Sequence, residues 1–403
     1  MRTIEEHLAA ALALVRPLDP QEVALEDALD LVLALDVTCA VELPRFDNSA
    51  MDGYAVRASD VAAATAADPV RLVVLADLAA GSAEHPEVGP GTCARIMTGA
   101  PVPPGADAIV PVELTDGGLT QVRIDAGTRA GTHVRRAGED ARPGDLVLAA
   151  GTTLGPQQIA AAAAAGFARL LVHRRPRIAV LSTGSELVAP GAELRRGQIP
   201  DSNSFLLAAA VRAAGGIAVR IGAVPDDAAT LRRVLAEQQG QVDAIVTSGG
   251  VSMGAYDVVK EVLTAEPGME FVQVAMQPGK PQGLGTLTDG TPLFALPGNP
   301  VSAFVSFEVF VRPALRRLAG RMDLGRPEVC ATVVDGWQPP GERTQYMPVA
   351  LERGPAGWLA RRAARGGSGS HLVAGLAGAQ GLAVVGAGAG EVRPGDSVRV
   401  LVV

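Results

Sequence analysis

Apolar residues recur at helical spacing over residues 4–15 and again over 23–36, separated by the turn "RPLDP". The pattern predicts two amphipathic helices at the start of the chain. Residues 42–56, "ELPRFDNSAMDGYAV", break that period and are rich in turn formers. From residue 54 to about 142, short Val/Leu/Ile runs are interrupted by Gly, Pro and Asp, which is the pattern of a small β barrel or sandwich. Gly155-Pro156 then opens a helix through an alanine run that Gly166 closes, placed to pack back on the N-terminal helices.

At "RRPRIAVLSTG" (174–184) the pattern changes. Apolar strands now alternate with helices: 178–181 as strand, "DSNSFLLAAAVRAAGG" as a helix capped by Ser or Asn, then "IAVRIGAV", "DDAATLRRVLAEQQG" and "VDAIVTSGG". "PLFALPGNPVSAFVSFEVFVRPALRRLAG" reads as strand, turn and a long helix kinked near Pro313. Such alternation implies a doubly wound, mostly parallel sheet with helices on both faces. Residues 327–403 return to short β runs. The expected organisation is multidomain α/β plus β. A discontinuous N-terminal domain covers 1–53 and 143–173, a small β domain 54–142, the doubly wound domain 174–322, and a barrel-like β domain 323–403.

The chain has 403 residues, 48% hydrophobic and only 3% aromatic, so Ala, Val and Leu build its cores. A net charge of −8 argues against nucleic acid or an anionic membrane as partner. No apolar stretch of about 20 residues suggests a membrane span, and the start lacks a signal-peptide pattern. Cys39, Cys93 and Cys330 are widely spaced, forming neither a metal pair nor a disulfide framework, and read as small buried hydrophobes of a reduced, cytoplasmic protein.

Ligands of doubly wound sheets bind beyond the carboxyl ends of the strands. Three loops fall there: "LSTGSEL" (181–187), "TSGGVSMGAYD" (247–257) and "LPGNPVSAF" (296–304). Their glycines let backbone N–H groups approach a ligand. Asn299 and Pro300 suit a helix start, whose free N–H groups attract anions. Glu186, Asp226, Asp227 and Asp257 stand at or near these ends, and carboxylates beside phosphate-friendly loops suggest Mg²⁺. For Asp226 and Asp227 an ordinary helix-start role competes with that reading. Of 35 basic residues only Lys260 and Lys280 are lysines. A compact ammonium suits a phosphate or oxyanion as a point charge.

The ordered set "FDNSAMDGYAV", "RIMTGAPVP", "LSTGSELV", "GQIPDSNSFLL", "TSGGVSMGAYDVVK", "MQPGKPQGLG" and "LPGNPVSAFVSFEVFVRP" resembles the molybdopterin molybdenumtransferase family, of the MoeA type and similar to the gephyrin E domain. The resemblance spans nearly the whole chain. It implies four domains and a homodimer with the site between protomers. It implies a cytoplasmic enzyme of molybdenum cofactor biosynthesis. Adenylylated molybdopterin and molybdate are the substrates, molybdate enters the dithiolene, and Mg²⁺-dependent cleavage of the adenylate releases AMP. It further implies hand-over from an upstream adenylyltransferase and onward to molybdoenzymes. Carried over by motif, Asp52, Thr98, Glu186, Asp257 and Lys280 are the catalytic candidates. Ser248, Gly249, Gly250, Ser252, Gly298, Asn299, Ser302 and Ser370 are the substrate-binding ones, and Glu186, Asp226 and Asp257 the metal ligands.

Four positions, making three departures, differ from the family pattern. Gln273 and Gln277 stand where many relatives carry lysine, and Ser185 where an acid is frequent. Pro348 lies near the place of a second arginine that follows the one matching Arg343. Losing a charge-assisted contact costs on the order of 1.5–3 kcal/mol. The alternatives are an adenylyltransferase acting on molybdopterin and a divergent paralogue handling tungstate.

Overall fold

The computed structural model describes residues 1–251, 258–266, 268–364 and 369–403. The first helix, α1 (Ile4–Ala13), starts in a capping box: Thr3 accepts from the Glu6 N–H and Glu6 accepts from the Thr3 N–H. Its inner face, with Ile4, Leu8 and Ala11, packs on the hydrophobic core of the doubly wound sheet.

The helix expected over 23–36 does not form. Pro20–Ala24 is a strand, Leu25–Asp27 one 3-10 turn, and Val32–Leu33 a second strand. Both strands pair antiparallel with Arg169–His173. Pairing with a distant strand outweighs the local helical period, and Asp30 adopts a positive φ of 63° that no helix tolerates. The pairing joins residues 20–33 to 169–173, with α2 (Pro156–Ala164) packed over them through Ala162 and Ile159. The helix after Gly155 therefore covers strands, not helices. Between these segments lies a five-stranded sheet in the order 108–111, 53–56, 92–96, 70–78, 121–124.

The doubly wound sheet contains β1 (Arg177–Thr183), β2 (Ile217–Val224), β3 (Ala244–Ser248), β4 (Glu270–Gln273), β5 (Pro281–Thr286) and β6 (Pro292–Leu296), in the order β2-β1-β3-β6-β5-β4. The first four in that order run parallel; β5 and β4 close one side antiparallel. Residues alternate between two cores. Ile178 and Val180 face α1, α3 (Asn203–Ala213) and the long helix α6, whereas Ala179 and Leu181 face α4 (Ala228–Gln238) and α5 (Val258–Thr264). Helix α6 runs through Pro300–Ser306, Phe307–Val311 and Arg312–Leu318. Its middle stretch is a π-type turn. It directly precedes Pro313, which has no N–H to give and needs room for its ring, so the expected irregularity is a widened turn.

The last domain is a closed barrel of 328–333, 344–354, 357–362, 381–385 and 397–402. Met276–Gln277, from the segment leading to Lys280, adds a parallel pair to Thr344–Gln345. Lys280 is thus held where the two domains meet. Cys39 and Cys93 are buried as expected, but Cys330 is exposed because it points outward from its barrel strand. Among the described residues no helix is long and apolar enough to cross a membrane.

Candidate active site

β1 leads on to β2 on one side while β3 and β6 lie on the other, so the chain reverses direction across the sheet between β1 and β3. The loops after β1, β3 and β6 meet there. Gly249 has φ 103°, and a Cβ on it would lie 2.6 Å from the Thr183 carbonyl oxygen. A Cβ on Gly298 would meet Gly249 Cα at an ordinary 3.4 Å. It is glycine at 249 that lets the loops after β1 and β3 approach so closely.

Asn203, at the start of α3 and only 8% exposed, ties them together. Its Nδ2 donates to Ser248 Oγ (2.8 Å) and to the Gly298 carbonyl (2.6 Å). Ser248 Oγ donates onward to the Pro297 carbonyl (3.0 Å). Asn203 Oδ1 and Ser182 Oγ are buried with no partner among the described residues. Such orphaned polar atoms cost free energy unless a ligand or water meets them. A polar residue where α3 begins looks like a cap, so no local motif marks Asn203 as part of the site. In fact neither Ser202 nor Asn203 caps α3. The buried Asp201 carboxylate takes the Ser204 N–H instead (3.0 Å), and Ser204 Oγ also donates to it. Asn299 occupies the N-cap position of α6, but its side chain makes no capping bond and is exposed to the cleft.

Two clefts of about 880 Å³ each open at this edge and share Pro281, Pro297, Asn299 and His371. The first is bounded by Ser248, Gly249, Gly250, Gly298 and the acids Glu186, Asp201 and Asp226. The Glu186 carboxylate folds against Gly184, where a Cβ would lie 2.7 Å from both its oxygens. One Asp226 oxygen accepts from the Ser185 N–H (3.0 Å), and the Asp226 N–H donates to Ser185 Oγ (3.1 Å). Ser185, standing in for a frequent acid, therefore braces Asp226. Asp227 instead caps α4 by accepting from Thr230 N–H (2.7 Å), which holds its carboxyl below the usual range.

The second cleft has the opposite character. Lys280, Arg343 and Arg362 line it with Ser302, Ser370 and Gln277, and no acid among the described residues does. Arg362 Nε is buried without a partner. Arg362 escaped the sequence reading because it comes from the neighbouring strand. It is paired with Val349, one residue beyond Pro348, so a guanidinium reaches this cleft despite the proline. The Lys280 loop is pinned to α6 by the buried Gln282, whose Nε2 donates to the Gly279 carbonyl (2.6 Å) and to Ser306 Oγ (2.7 Å).

Asp52 and Thr98 are joined to each other but line neither cleft. Asp52 Oδ1 accepts from both the N–H (2.7 Å) and Oγ1 (2.8 Å) of Thr98, bonds that lower its carboxyl pKa. Lys260 lies in α5 and borders neither cleft. Ser252 and Asp257 fall outside the described residues.

The donor set at the acid end fits a hard divalent cation. It is all oxygen, and Mg²⁺ keeps most of its waters, needing only one or two carboxylates beside substrate phosphates. Among the described residues no cluster of three such side chains forms a full protein cage.

Three family models match the chain: the MoeA N-terminal region (domain I and II) over residues 2–166, a probable molybdopterin binding domain over 179–317, and the MoeA C-terminal region (domain IV) over 331–403. The chain is 46% identical over 406 residues to molybdopterin molybdenumtransferase 2 of Mycobacterium tuberculosis, covering 99% of each chain. It is 39% identical over 419 residues to molybdopterin molybdenumtransferase 1 of that organism, covering 99% of this chain and 98% of the relative. The crystal structure of a molybdopterin biosynthesis MoeA protein from Pyrococcus horikosii superposes with a TM-score of 0.85 at 32% identity, covering 99% of this chain and 98% of that one.

Proposed function

The chain belongs to the molybdopterin molybdenumtransferase family, and from that premise we propose that it inserts molybdate into adenylylated molybdopterin and cleaves the adenylate to release AMP. The observation that carries this reading is the division of charge between two adjoining clefts that share Pro281, Pro297, Asn299 and His371. Glu186 and Asp226 stand at one end, and Lys280, Arg343 and Arg362 at the other. A substrate with a metal-bridged pyrophosphate and a separate oxyanion needs both.

At the acid end Glu186 and Asp226, with Asp257 as a third ligand on the strength of its motif, would hold Mg²⁺, which when bound would supply charge neutralisation for a pyrophosphate. Ser185 occupies one Asp226 oxygen and leaves the other available to a cation. The backbone of Gly249, Gly250 and Gly298 lets phosphate oxygens approach closely, with Ser248 held in place by Asn203. At the basic end Lys280, Arg343 and Arg362 bind molybdate, a substrate here, with Asn299, Ser302 and Ser370 donating to its oxygens. The two dithiolene sulfurs displace one of those oxygens, which leaves as a single water carrying the two thiol protons. Gln277, on the rim, donates an amide N–H where relatives place a charge, so molybdate binds without that lysine's contribution.

Asp52 and Thr98 complete the groove from a second protomer in a homodimer. Their mutual hydrogen bonds keep Asp52 ionised, ready to receive a cation or a substrate proton donor. Adenylylated molybdopterin arrives from an adenylyltransferase, and the loaded cofactor passes to molybdoenzymes. The test is AMP release from adenylylated molybdopterin with Mg²⁺, with and without molybdate. Molybdate-stimulated release supports the reading. Equal release with and without molybdate from a folded protein that binds the substrate sinks it; if tungstate alone stimulates, the paralogue reading replaces it.

A further inference from the structure

On the face of the doubly wound domain away from the groove, four stretches of chain enclose a pocket of about 260 Å³: Asp30–Leu31, His173–Arg175, Arg212–Gly215 and Arg316–Arg321. We propose that this pocket is a second anion site, binding an inorganic oxyanion of the phosphate class, phosphate or pyrophosphate.

Five arginines and one histidine line it, against a single acid, Asp30. Two of the arginines are neutralised by acids outside the lining. Arg174 makes a bidentate pair with Asp243 (2.7 and 2.6 Å), and Arg316 pairs with Asp323. The other three have no acid partner among the described residues. Arg175 reaches only the Leu29 carbonyl (3.3 Å). Arg321 donates to the Asp30 carbonyl (2.9 Å) and to Thr153 Oγ1 (3.3 Å). The Arg212 side chain makes no hydrogen bond or ion pair among the described residues. Three guanidinium charges thus face one carboxylate.

Helix C-termini attract cations, and Arg212 and Arg316 sit in the last turns of α3 and α6. That effect does not account for Arg174, Arg175 and Arg321, which lie outside the helices. Each helix end contributes about half a negative charge, and two of them still leave the pocket positive. Burial, reinforced by Arg316, lowers the Arg321 pKa, in keeping with a positive local field. The left-handed φ of Asp30 is where its backbone turns so that the carbonyl meets Arg321.

Size selects the ligand. The pocket holds roughly nine waters at about 30 Å³ each and falls below the ~300 Å³ typical of pockets for drug-sized ligands. A phosphate or pyrophosphate fits within that volume. Planar guanidinium forks are suited to such tetrahedral oxyanions. A bound anion would join Arg212 of the sheet domain to Arg175 and Arg321, and so fasten the 20–33 segment to the sheet.

Inorganic pyrophosphate is titrated calorimetrically into full-length protein at low salt, without Mg²⁺, using wild type, Lys280→Ala and the double variant Arg175→Ala/Arg212→Ala. Both replaced arginines are exposed and make at most one weak backbone contact, so the unliganded thermal midpoint of the double variant stays within about two degrees of wild type. The proposal expects Lys280→Ala to keep one pyrophosphate site per chain and the double variant to lose that site's affinity at least tenfold. Arg212→Glu, a second variant, loses it further. Binding unchanged within twofold in the double variant, or no site remaining in Lys280→Ala, overturns it. AMP titrated against the same site binds more weakly than pyrophosphate; tenfold tighter AMP binding overturns the assignment to a free oxyanion.

Discussion

Asn203 is the residue on which the geometry of the groove depends most. Replacing it with alanine removes two hydrogen bonds, one to the buried Ser248 Oγ and one to the Gly298 carbonyl. Each is worth about 1 kcal/mol net. Water can reach Gly298 but not Ser248, which is 1% exposed and keeps its bond to Pro297. The expected loss is therefore about 2 kcal/mol, which lowers the melting point of a domain this size by about 4–8 °C. Asn203→Asp is close in shape yet brings no donor, and it sets a buried carboxylate against a carbonyl, so it is expected to be worse than alanine. Scanning calorimetry on both variants, with urea unfolding as a second measure, gives the ranking. An alanine variant within 0.5 kcal/mol of wild type, by the scale of a single hydrogen bond, or an aspartate variant as stable as wild type, would refute the role assigned to Asn203.

Three further outcomes are expected. His7 is buried against Phe310, edge to face at 4.6 Å, and burial with Arg2 nearby depresses its pKa from 6.5 to about 4. The unfolded chain binds this proton below pH 6.5 and the folded one only near 4, so stability falls as pH drops through that window, by up to about 3 kcal/mol; urea midpoints at pH 7, 5.5 and 4 should follow it, and His7→Leu should flatten the curve. Glu308→Ala strips the partner from Arg326 (2.7 and 3.0 Å) and leaves buried Arg312 uncompensated, costing about 3–5 kcal/mol in denaturant unfolding; a loss under 1 kcal/mol would contradict the buried network. Lys280→Ala should weaken substrate binding at least tenfold in a titration while leaving the melting point nearly unchanged, and a large stability loss with normal binding would assign Lys280 to structure instead.

Elements whose local pattern agreed with their tertiary surroundings were legible in the sequence. The strand–helix alternation after residue 174, the glycine loops at 181–187 and 296–304, the described start of the third at 247–251, and the Pro300 helix start appear where the pattern places them. The segment 23–36 was not, because its apolar spacing suits a helix while its partner strand, 169–173, lies well over a hundred residues further along the chain. Arg362 and Asn203 were missed for a related reason. Each acts on loops or cations far from it in sequence, through strand register or a side-chain bridge that no local motif records. The two glutamines and Pro348 suggested a weakened basic end. The barrel's folding, by bringing Arg362 beside Lys280 and Arg343, restores part of that charge.

The measurement that bears most directly on the proposed activity is reconstitution. The protein is incubated with adenylylated molybdopterin, molybdate and Mg²⁺, and the product is offered to a molybdoenzyme freed of its cofactor. The account predicts enzyme activity that appears only when molybdate is present, in step with AMP release, and that is lost in Lys280→Ala. AMP release without any transfer of molybdenum to the acceptor enzyme would contradict it.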